Sequence, residues 1–480
     1  MDMDYAIGNR RELFVDDALL DIGRTSARET LHRPHRRECV MTNDAPWEAD
    51  GWVYYTVLQD DEIFRMYYLC MPMYNRAHTR HDPPFHHICY AQSMDGIHWE
   101  KPDLGICSYN GDVHNNIVAI TDTMDAFHVF LDRSPSCRAE ERYKAVYTRP
   151  GHELWCMTSA DGIHFRAGWL LAGKGSFDSH NTAFWDECIG RYVCYARDFH
   201  KGAEGAPVRD IRRMESADFR IWSRPERITY GDSPYDFQMY TNGIQPYFRA
   251  PHLYVAFPAR YVERKAWSPN YDRLCGAAHR RWRMQFHPRY GLAVTDGLFM
   301  SSRDGRDFRR WNEAFLRPGP ESEKRWVYGD GYAAYGLLAT SGQCPGEDRE
   351  ISLFASANDW SDTPVQLYRY TLRMDGFVSR GALYEGGEVV TKPLTFAGDR
   401  LFVNLATSAA GCVRVYLEDE RGNPLEGYDS GALFGDAVDR PVDFERPVAA
   451  LQGRPVKLRF VLRDAEIYAF QFGYEKERDR

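Results

Sequence analysis

The sequence predicts an all-β protein, a five-bladed β-propeller followed by a C-terminal β-sandwich. Three observations predict this fold. Helical periodicity is nearly absent over the 480 residues, short alternating apolar runs recur between turn residues, and one short motif returns five times. The predicted domains are an N-terminal strand segment (1–29), a propeller (30–385) and a sandwich (386–480).

The repeated motif is Ser-x-Asp-Gly-x-x-aromatic. Its clearest copies run from Ser93 to Trp99 and from Ser159 to Phe165, and related copies begin at Ser216, Ser302 and Arg373. An Asp-Gly pair after an alternating run is typical of a tight turn between antiparallel strands. Two further strand-like runs precede each copy, which gives four strands per repeat. Four-stranded repeats arranged in a ring leave few sheet edges exposed, so five blades are predicted.

The motif stops after about residue 386. Alternating runs such as Val413-Arg-Val-Tyr-Leu417 and Val456-Lys-Leu-Arg-Phe-Val-Leu462 follow, separated by Gly and Pro turns. Half-buried strands alternate in this way, and the segment is therefore predicted to be a β-sandwich. The N-terminal strand around Phe14 is compatible with an edge of either domain.

Composition excludes several classes of protein. The formal charge of -9 argues against a general nucleic-acid binder, and no run of about 20 apolar residues predicts a membrane helix. The 11 cysteines are scattered without a C-x-x-C pair, so neither a disulfide framework nor a zinc site is expected. The first residues lack the features of a secretion signal, which favours a cytoplasmic protein. No cofactor is expected, and a homo-oligomer is compatible with the chain.

The predicted ring directs polar residues to one end. In a propeller, the first strand of each blade begins at the end where the second and third strands are joined, and this end is called the mouth below. Polar and aromatic side chains in these segments are predicted to line it and to bind substrate. They are Trp47, Asp125, His128, Arg149, His180, Asn181, Arg197, Arg209, Tyr240, Asn242, Gln245 and Arg260.

With five blades, these hairpin motifs and the run from Phe184 to Ala196, the chain resembles the five-bladed glycoside hydrolases that include invertases, levansucrases and arabinanases. The resemblance implies carboxylates at the starts of inner strands. Cleavage of a glycosidic bond needs one protonated acid and one ionised base or nucleophile. Asp178 and Glu48 match such positions and form the best predicted pair.

The chain also departs from that family. Met41-Thr-Asn-Asp-Ala-Pro46 only approximates the invertase Met-Asn-Asp-Pro, and the invertase-like Glu187-Cys188 falls in a predicted turn at the far end of a blade. Arabinanase-like enzymes carry a glutamate at the mouth of the fourth blade, where this chain has residues such as Asp236 and Gln238. The general acid is therefore left among three further catalytic candidates, Asp210, Asp296 and Asp330.

Two clusters have more than one interpretation. His78, His81, His86 and His87 lie in one predicted loop, but no carboxylate spacing completes a metal site, and no metal is predicted. These histidines are interpreted as rim groups that bond substrate or transfer protons. The basic segment 273–289 is either a solvated rim or oligomer contact, or a site for a uronate, sulfate or phosphate group.

The resulting hypothesis is a glycoside hydrolase with a carbohydrate substrate, exo-acting on a furanoside or an anionic oligosaccharide. A glycoside phosphorylase, in which phosphate replaces water, and a uronate lyase are the enzymatic alternatives. A non-catalytic carbohydrate-binding propeller is the alternative outside enzymology.

Overall fold

The structure is a computed structural model that describes residues 5–48, 54–70, 86–121, 124–149, 152–203, 205–231, 233–322, 325–342, 349–357 and 364–474. The chain divides into two compact units. Unit 1 combines Met1–Arg33 with Leu372–Arg480, and unit 2 is Pro34–Thr371. The sequence places its boundaries at 29/30 and 385/386 instead. The difference at the second boundary arises because the strand at 378–382 pairs with strands of unit 1.

The chain starts with three short strands of unit 1, which are β1 (Tyr5–Gly8), β2 (Arg11–Leu13) and β3 (Arg28–Leu31). Unit 2 then begins with β4 (His35–Thr42). Three four-stranded antiparallel sheets follow, each with its strands in chain order. Sheet I contains β5 (Tyr55–Asp60), β6 (Ile63–Cys70), β7 (His86–Ser93) and β8 (Ile117–Thr121). Sheet II contains β9 (Asp125–Leu131), β10 (Tyr143–Arg149), β11 (Glu153–Ser159) and β12 (Arg166–Ala172). Sheet III contains β13 (Thr182–Asp186), β14 (Arg191–Lys201), β15 (Pro207–Ser216) and β16 (Glu226–Arg227).

The next part of the chain contains two sheets and an insertion. It begins with β17 (Gln238–Met239), β18 (Gln245–Tyr247), β19 (Ala250–Ala256) and β20 (Ala259–Glu263). The helices α1 (Pro269–Arg273), α2 (Ala277–Arg283) and α3 (Arg289–Leu292) follow, and then the strands β21 (Ala293–Gly297), β22 (Met300–Ser302) and β23 (Arg309–Arg310). Sheet IV has the order β18-β19-β22-β23, and β17-β20-β21 form a separate three-stranded sheet. The sequence predicts a long loop over 260–296, but these residues form a β-hairpin capped by three helices.

Sheet V combines both ends of unit 2. It contains β24 (Leu338–Thr340), β25 (Glu350–Ala357) and β26 (Gln366–Arg373), and its fourth strand is β4. The buried Arg369 of β26 bonds Glu38 of β4 and Glu350 of β25, each at 2.8 Å. An ion-paired arginine thus fixes the pairing of strands that lie far apart in the sequence.

In the copies that begin at Ser93, Ser159, Ser216 and Ser302, the repeated motif forms the same turn, with a positive φ at the residue after the aspartate. The copy that begins at Arg373 differs, because its positive φ lies at Asp375 itself. In sheet II, the backbone N–H of Gly162 donates to Ser159 Oγ at 3.0 Å, and Asp161 Oδ1 accepts from the N–H groups of Ile163 and His164. The turn also contacts sheet I, because the Tyr67 hydroxyl donates to Gly162 O at 2.8 Å.

Neighbouring sheets make further contacts of this kind. Tyr195 of sheet III donates to Gly305 O in the motif turn of sheet IV at 2.7 Å. Phe130 of sheet II packs 5.5 Å from Phe219, which follows the third strand of sheet III. A parallel bridge joins Tyr335, which precedes the first strand of sheet V, to Thr56 in the first strand of sheet I. These contacts join sheet I to II, II to III, III to IV and V to I.

The remaining strands belong to unit 1. They are β27 (Val378–Ala382), β28 (Gly387–Val390), β29 (Leu394–Phe396), β30 (Arg400–Glu418), β31 (Pro424–Leu433), β32 (Asp436–Val442) and β33 (Lys457–Gly473). The N-terminal strands join this unit, since β1 pairs with β29, β2 with β33 and β3 with β27. The two halves of the long strand β30 pair with different neighbours, β32 and β31. The two-layer sandwich stays a prediction. Short 3-10 turns lie at Ala139–Glu141 and Val448–Leu451. Within the described ranges, none of the helices has the length and apolar character needed to cross a membrane.

Candidate active site

The segments that precede the first strands of sheets I, III, IV and V come together in the structure, and the place where they meet is called the mouth from here on. Tyr54, which precedes sheet I, stacks on His180 at 5.3 Å and on Tyr332 at 6.4 Å. Tyr332 in turn stacks on Tyr240 at 5.5 Å. His180 precedes sheet III, Tyr240 sheet IV and Tyr332 sheet V. These rings form a nearly continuous aromatic layer, called the aromatic floor below.

A carboxyl group lies beside this floor. The Asp178 side chain is 54% exposed, and its Oδ1 lies 2.8 Å from Nη2 of Arg197, which is nearly buried. The same nitrogen donates to the backbone oxygen of Asp178 at 3.1 Å, and Arg197 Nε donates to Ser176 O. Phe199 packs 4.6 Å from the guanidinium. Arg197 is therefore held by several contacts and fixes one oxygen of Asp178, whose side chain stays open to a ligand.

Asn181 and Asn242, two predicted substrate-binding residues, hold this segment in place through hydrogen bonds inside the protein. Asn181 Nδ2 donates to Phe177 O at 2.8 Å and to Ser179 O at 2.9 Å, and its Oδ1 accepts from the N–H of Arg197. Asn242 is likewise buried, with Oδ1 bonded to Thr182 Oγ1 at 2.8 Å. Both amides are occupied inside the protein, so they position the mouth loops and do not face an open surface.

Arg209 stacks over the edge of the aromatic floor. Its guanidinium carbon lies 4.7 Å from the ring centre of Tyr261 and 5.3 Å from that of Tyr240. Nη1 donates to Gln238 Oε1 at 3.0 Å. Tyr240 also accepts a hydrogen bond from the Tyr328 hydroxyl at 2.8 Å. The arrangement gives the mouth a second fixed cation and an aromatic wall.

A second carboxylate reaches the same wall from the inserted hairpin. Glu263, the last residue of β20, is exposed, and its Oε2 accepts a hydrogen bond from the Tyr261 hydroxyl at 2.8 Å. Side chains alternate along a strand, so Tyr261 and Glu263 lie on one face of β20. This face is the one that Tyr261 presents to Arg209 and Tyr240.

Of the two predicted histidines, His180 is one of the rings of the floor, and His128 is fully buried next to it, with ring centres 5.6 Å apart. His128 Nδ1 and His180 Nε2 share Thr56 Oγ1, at 3.2 and 3.3 Å. Burial lowers the pKa of His128 to about 4 and the pKa of His180 well below its usual value. Both rings are therefore neutral at neutral pH and serve as packing and hydrogen-bonding groups.

Asp330 is a buried acid behind the mouth. Its Oδ2 accepts a hydrogen bond from the Trp326 N–H at 3.2 Å, and its backbone oxygen accepts one from Thr295 Oγ1 at 2.7 Å. Burial raises the pKa of Asp330 to about 7. The group holds its proton in weakly acidic solution, but only 2% of the residue is exposed.

Glu48 is not presented as the sequence predicts. Its side chain is fully buried, with Oε1 bonded to the Tyr68 hydroxyl at 2.5 Å and Oε2 bonded to Lys101 Nζ at 2.7 Å. Oε2 also accepts from the N–H of Ala45 at 3.0 Å. The neighbouring Trp47 donates from Nε1 to Asn116 Oδ1. Both residues anchor their segment to sheet I, and neither side chain lines the aromatic floor.

Asp296 and Asp210, the other two acid candidates, are held in ion pairs. Asp296 receives Nε of Arg260 at 2.9 Å and Nη2 at 2.5 Å, so these two predicted site residues bind each other. Asp210 is buried, bonded to His200 Nδ1 at 3.0 Å and to Arg212 Nε at 3.0 Å. Burial raises its pKa. Neither carboxylate is brought to the floor.

Three predicted substrate-binding residues remain. Arg149 lies 4.2 Å from the Trp155 ring, over the outer face of sheet II. Gln245 is buried in β18, and its Nε2 has no hydrogen-bond partner within the ranges given above. The side chain of Asp125 lies outside the described residues.

The histidine loop and the basic segment differ from their interpretation as rim groups. His78 and His81 lie outside the described residues, and burial lowers the pKa of His87 to about 4. In the part of the chain that the structure describes, no three His, Cys, Asp or Glu residues are grouped as a metal site. Arg280 and Arg283 are buried in α2, so two of the five arginines of this segment are not on a solvated rim.

Glu263, Tyr261, Tyr328 and Tyr54 are the mouth residues that sequence reasoning missed. The sequence carried a signal for Tyr261 and Glu263, because Ala259-Arg-Tyr-Val-Glu263 alternates as a strand does. The interpretation of 260–296 as a loop hid this signal.

Comparison of folds returns carbohydrate-active proteins at low similarity, including glycosidases of the clan that the sequence resembles. No protein-family model and no curated protein matches the sequence. A glycoside hydrolase family 43 arabinoxylan arabinofuranohydrolase from Bacillus subtilis, in complex with cellotetraose, is 13% identical with a TM-score of 0.40 and covers 90% of this chain and 97% of its own. A β-fructofuranosidase from Schwanniomyces occidentalis, complexed with fructosyl-erythritol, is 12% identical with a TM-score of 0.40 and covers 94% and 98%. An N-acetylgalactosamine deacetylase from F. plautii, in complex with blood group B trisaccharide, is 12% identical with a TM-score of 0.40 and covers 73% and 95%. Values this low carry neither a substrate nor a residue role over to this chain.

Proposed function

We propose that the chain is a glycoside hydrolase whose active site is the mouth, with Asp178 as the base or nucleophile and Glu263 as the proton donor. The observation that carries the proposal is the open carboxylate of Asp178, held by the rigid Arg197 beside the aromatic floor. Sugar rings bind aromatic faces, and glycosidic cleavage needs a fixed carboxylate next to the bound ring.

The proposal includes a five-bladed propeller for unit 2. Five four-stranded sheets of the described residues succeed one another, and the segments before the first strands of four of them, sheets I, III, IV and V, meet at the aromatic floor. Contacts such as Tyr67 to Gly162 and Tyr195 to Gly305 join a sheet to the next. The strand β4 completes the last sheet from the start of unit 2, which is how a ring of blades is closed without a free edge.

Asp178 suits the role of base or nucleophile. One oxygen of its carboxyl group pairs with the Arg197 guanidinium at 2.8 Å, and the exposure of the side chain leaves the other oxygen free to approach an anomeric carbon or a water molecule. The raised pKa of Tyr240, caused first by burial and then by the charge of Asp178, is consistent with a carboxylate close to the floor.

Glu263 is preferred to Asp330 as the proton donor. A general acid must come within hydrogen-bond reach of the leaving oxygen. Glu263 is exposed on the face of β20 that forms the mouth wall, whereas Asp330 is buried beneath Trp326 and Thr295. We assign Asp330 to positioning, because its carboxyl and backbone oxygen hold two segments of the wall together.

The hairpin β20–β21 and its helices also support exo action on a furanoside or an anionic oligosaccharide. This insertion places Tyr261 and Tyr290 beside Tyr328 along one side of the mouth, with ring centres 5.3 Å apart for Tyr261 and Tyr328. A wall on one side limits how far a long chain can extend through the site. The fixed cations Arg197 and Arg209 favour a substrate that carries a negative charge.

The test is hydrolysis of a panel of aryl furanosides, aryl pyranosides and uronate-bearing oligosaccharides by the wild type and by Asp178→Asn. We expect the wild type to cleave a member of the panel and Asp178→Asn to lose at least roughly 1,000-fold in kcat/KM. Asp61→Asn is the matched control, because Asp61 is 91% exposed at the β5–β6 turn with φ 55°, which asparagine tolerates. Equal loss in both variants, or full activity of Asp178→Asn, contradicts the assignment.

A further inference from the structure

A separate pocket lies behind the inserted hairpin. It has a volume of about 560 Å³, a size typical of small-molecule sites. Strands β20 and β21, the segment after β23 and Trp326 form its walls. The lining residues are Arg260, Val262, Arg264, Val294, Thr295, Asp296, Ala314, Arg317, Pro318, Gly319 and Trp326. It is called the Trp326 pocket below.

The Trp326 pocket and the mouth use opposite faces of β20. Arg260 pairs with Asp296 and Val262 pairs with Val294 across the hairpin, and all four side chains belong to the pocket face. The intervening Tyr261 belongs to the mouth wall. One hairpin therefore separates two ligand-accessible surfaces.

The pocket combines an excess of positive charge with an apolar wall. Both oxygens of Asp296 are engaged by Arg260, whose third nitrogen donates to Asn312 O at 3.0 Å. The guanidinium groups of Arg264 and Arg317 are exposed and have no carboxylate partner among the residues that the structure describes. Two uncompensated cations thus face a surface of valine, alanine, proline and tryptophan side chains.

Trp326 is held in place at a conformational cost. Its φ is 63°, which is rare for a bulky residue and signals local strain. Its backbone N–H donates to Asp330 and its indole Nε1 donates to Gly319 O at 2.9 Å. Behind it, the buried Arg280 donates to Trp326 O. Strain that so many contacts enforce indicates that the indole position serves a binding surface.

We propose that the Trp326 pocket binds an acidic sugar unit, with its carboxylate or sulfate group between Arg264 and Arg317 and its ring against Trp326. The proposal deepens the proposed function, since it rests on a carbohydrate substrate and names the anionic class. Guanidinium groups recognise planar or tetrahedral oxyanions through paired hydrogen bonds, and tryptophan stacks on the apolar face of a sugar ring. A neutral sugar would leave both arginines unused.

Direct binding tests this without relying on catalysis. Isothermal titration of the Asp178→Asn protein at low ionic strength would use four probes: D-glucuronate, D-glucose 6-sulfate, methyl glucoside and inorganic sulfate. We expect the uronate or the sulfated sugar to bind at least tenfold more tightly than methyl glucoside and inorganic sulfate. The stronger of the two acidic probes identifies the natural substituent.

Variants locate the site. Arg264→Met and Arg317→Met each remove one cation from an exposed side chain and should weaken the acidic probe at least fivefold. Arg166→Met is the matched control, because Arg166 lies exposed on β12, in sheet II. Unchanged binding in both pocket variants, equal weakening in Arg166→Met, or equal affinity for methyl glucoside would overturn the proposal. Any of these results leaves hydrolysis at the mouth, tested separately with Asp178→Asn, unaffected.

Discussion

Two carboxyl groups near the start of first strands differ in what their surroundings let them do. Asp178 is paired with Arg197 through one oxygen and is half exposed, so a ligand can reach it. Tyr68 and Lys101 occupy both oxygens of Glu48 in the interior. At this scale, accessibility and partner geometry decide which acid can act, because residue type and chain position are similar.

The proposed proton donor gives a leaving-group prediction. Glu263→Gln removes the proton but keeps the hydrogen bond with Tyr261. We expect kcat on substrates with poor leaving groups to fall roughly 100- to 10,000-fold. Substrates with activated aryl leaving groups, which depart without protonation, should be affected far less. Rate measurements on an aryl series check this.

Glu187→Gln is the control for that series, because Glu187 lies exposed in the turn between β13 and β14, at the end of sheet III remote from the mouth. A uniform loss across the aryl series in Glu263→Gln would show that Glu263 acts in binding and not as the acid.

Burial of Asp330 predicts a pH-dependent stability. The pKa of Asp330 is about 7 in the folded protein and 3.8 for an ordinary aspartate, so the folded protein keeps a proton that the unfolded chain releases. The stability that this proton contributes is fully present below pH 3.8 and is lost as the pH rises toward the folded-state pKa of about 7. Asp330→Asn does not titrate, so its stability relative to wild type should improve by roughly 2–3 kcal/mol between about pH 5 and about pH 8. Urea unfolding at both pH values measures this, and parallel profiles would contradict it.

Part of the site was predictable from single residues. Asp178, Arg197, Arg209 and Tyr240 precede first strands or join second to third strands, and chain order alone brings such positions to one end. The occupation of Asn181 by backbone groups and the burial of Glu48 depend on tertiary packing, which the sequence does not display. Glu263 was missed because its strand was interpreted as a loop.

At the scale of elements, the inserted hairpin does most to shape function. One face of β20 supplies Tyr261 and Glu263 to the mouth, and the other supplies Arg260 to the Trp326 pocket. The motif turns do most to shape the fold. Those of sheets II and IV are bonded within themselves, and the backbone oxygen of the glycine in each accepts a hydrogen bond from a tyrosine of the preceding sheet.

The motif turn gives a stability prediction with a matched control. Gly162 has φ +77°, and an added Cβ would lie 2.6 Å from the Tyr67 hydroxyl oxygen. Gly190 has φ +64° with open space around it. Gly190→Ala should therefore cost about 1–2 kcal/mol for the backbone alone. Gly162→Ala should cost roughly 2–4 kcal/mol, because it also disrupts the contact between sheets. Urea unfolding compares them, and equal costs would show that the clash is relieved without loss.

At the scale of the whole molecule, the repeat predicted an all-β chain with successive four-stranded sheets, and the described residues of unit 2 form five of them. The contribution of β4 to sheet V was not predictable, because its partner β26 lies more than 300 residues away and nothing in the alternation of β4 identifies it. The N-terminal strands were equally ambiguous, and their pairing with β27, β29 and β33 places them in unit 1.

The most direct measurement is mass spectrometry of the products formed in water enriched in the heavy oxygen isotope. Wild type, incubated briefly with the substrate panel, should release a sugar that carries one heavy oxygen at its anomeric carbon, because hydrolysis takes that oxygen from water. Asp178→Asn should release none. A sugar phosphate that forms only with added phosphate would establish a phosphorylase, and an unlabelled unsaturated product would establish a lyase. Either product, or intact substrate after long incubation with the whole panel, would contradict hydrolysis at the mouth.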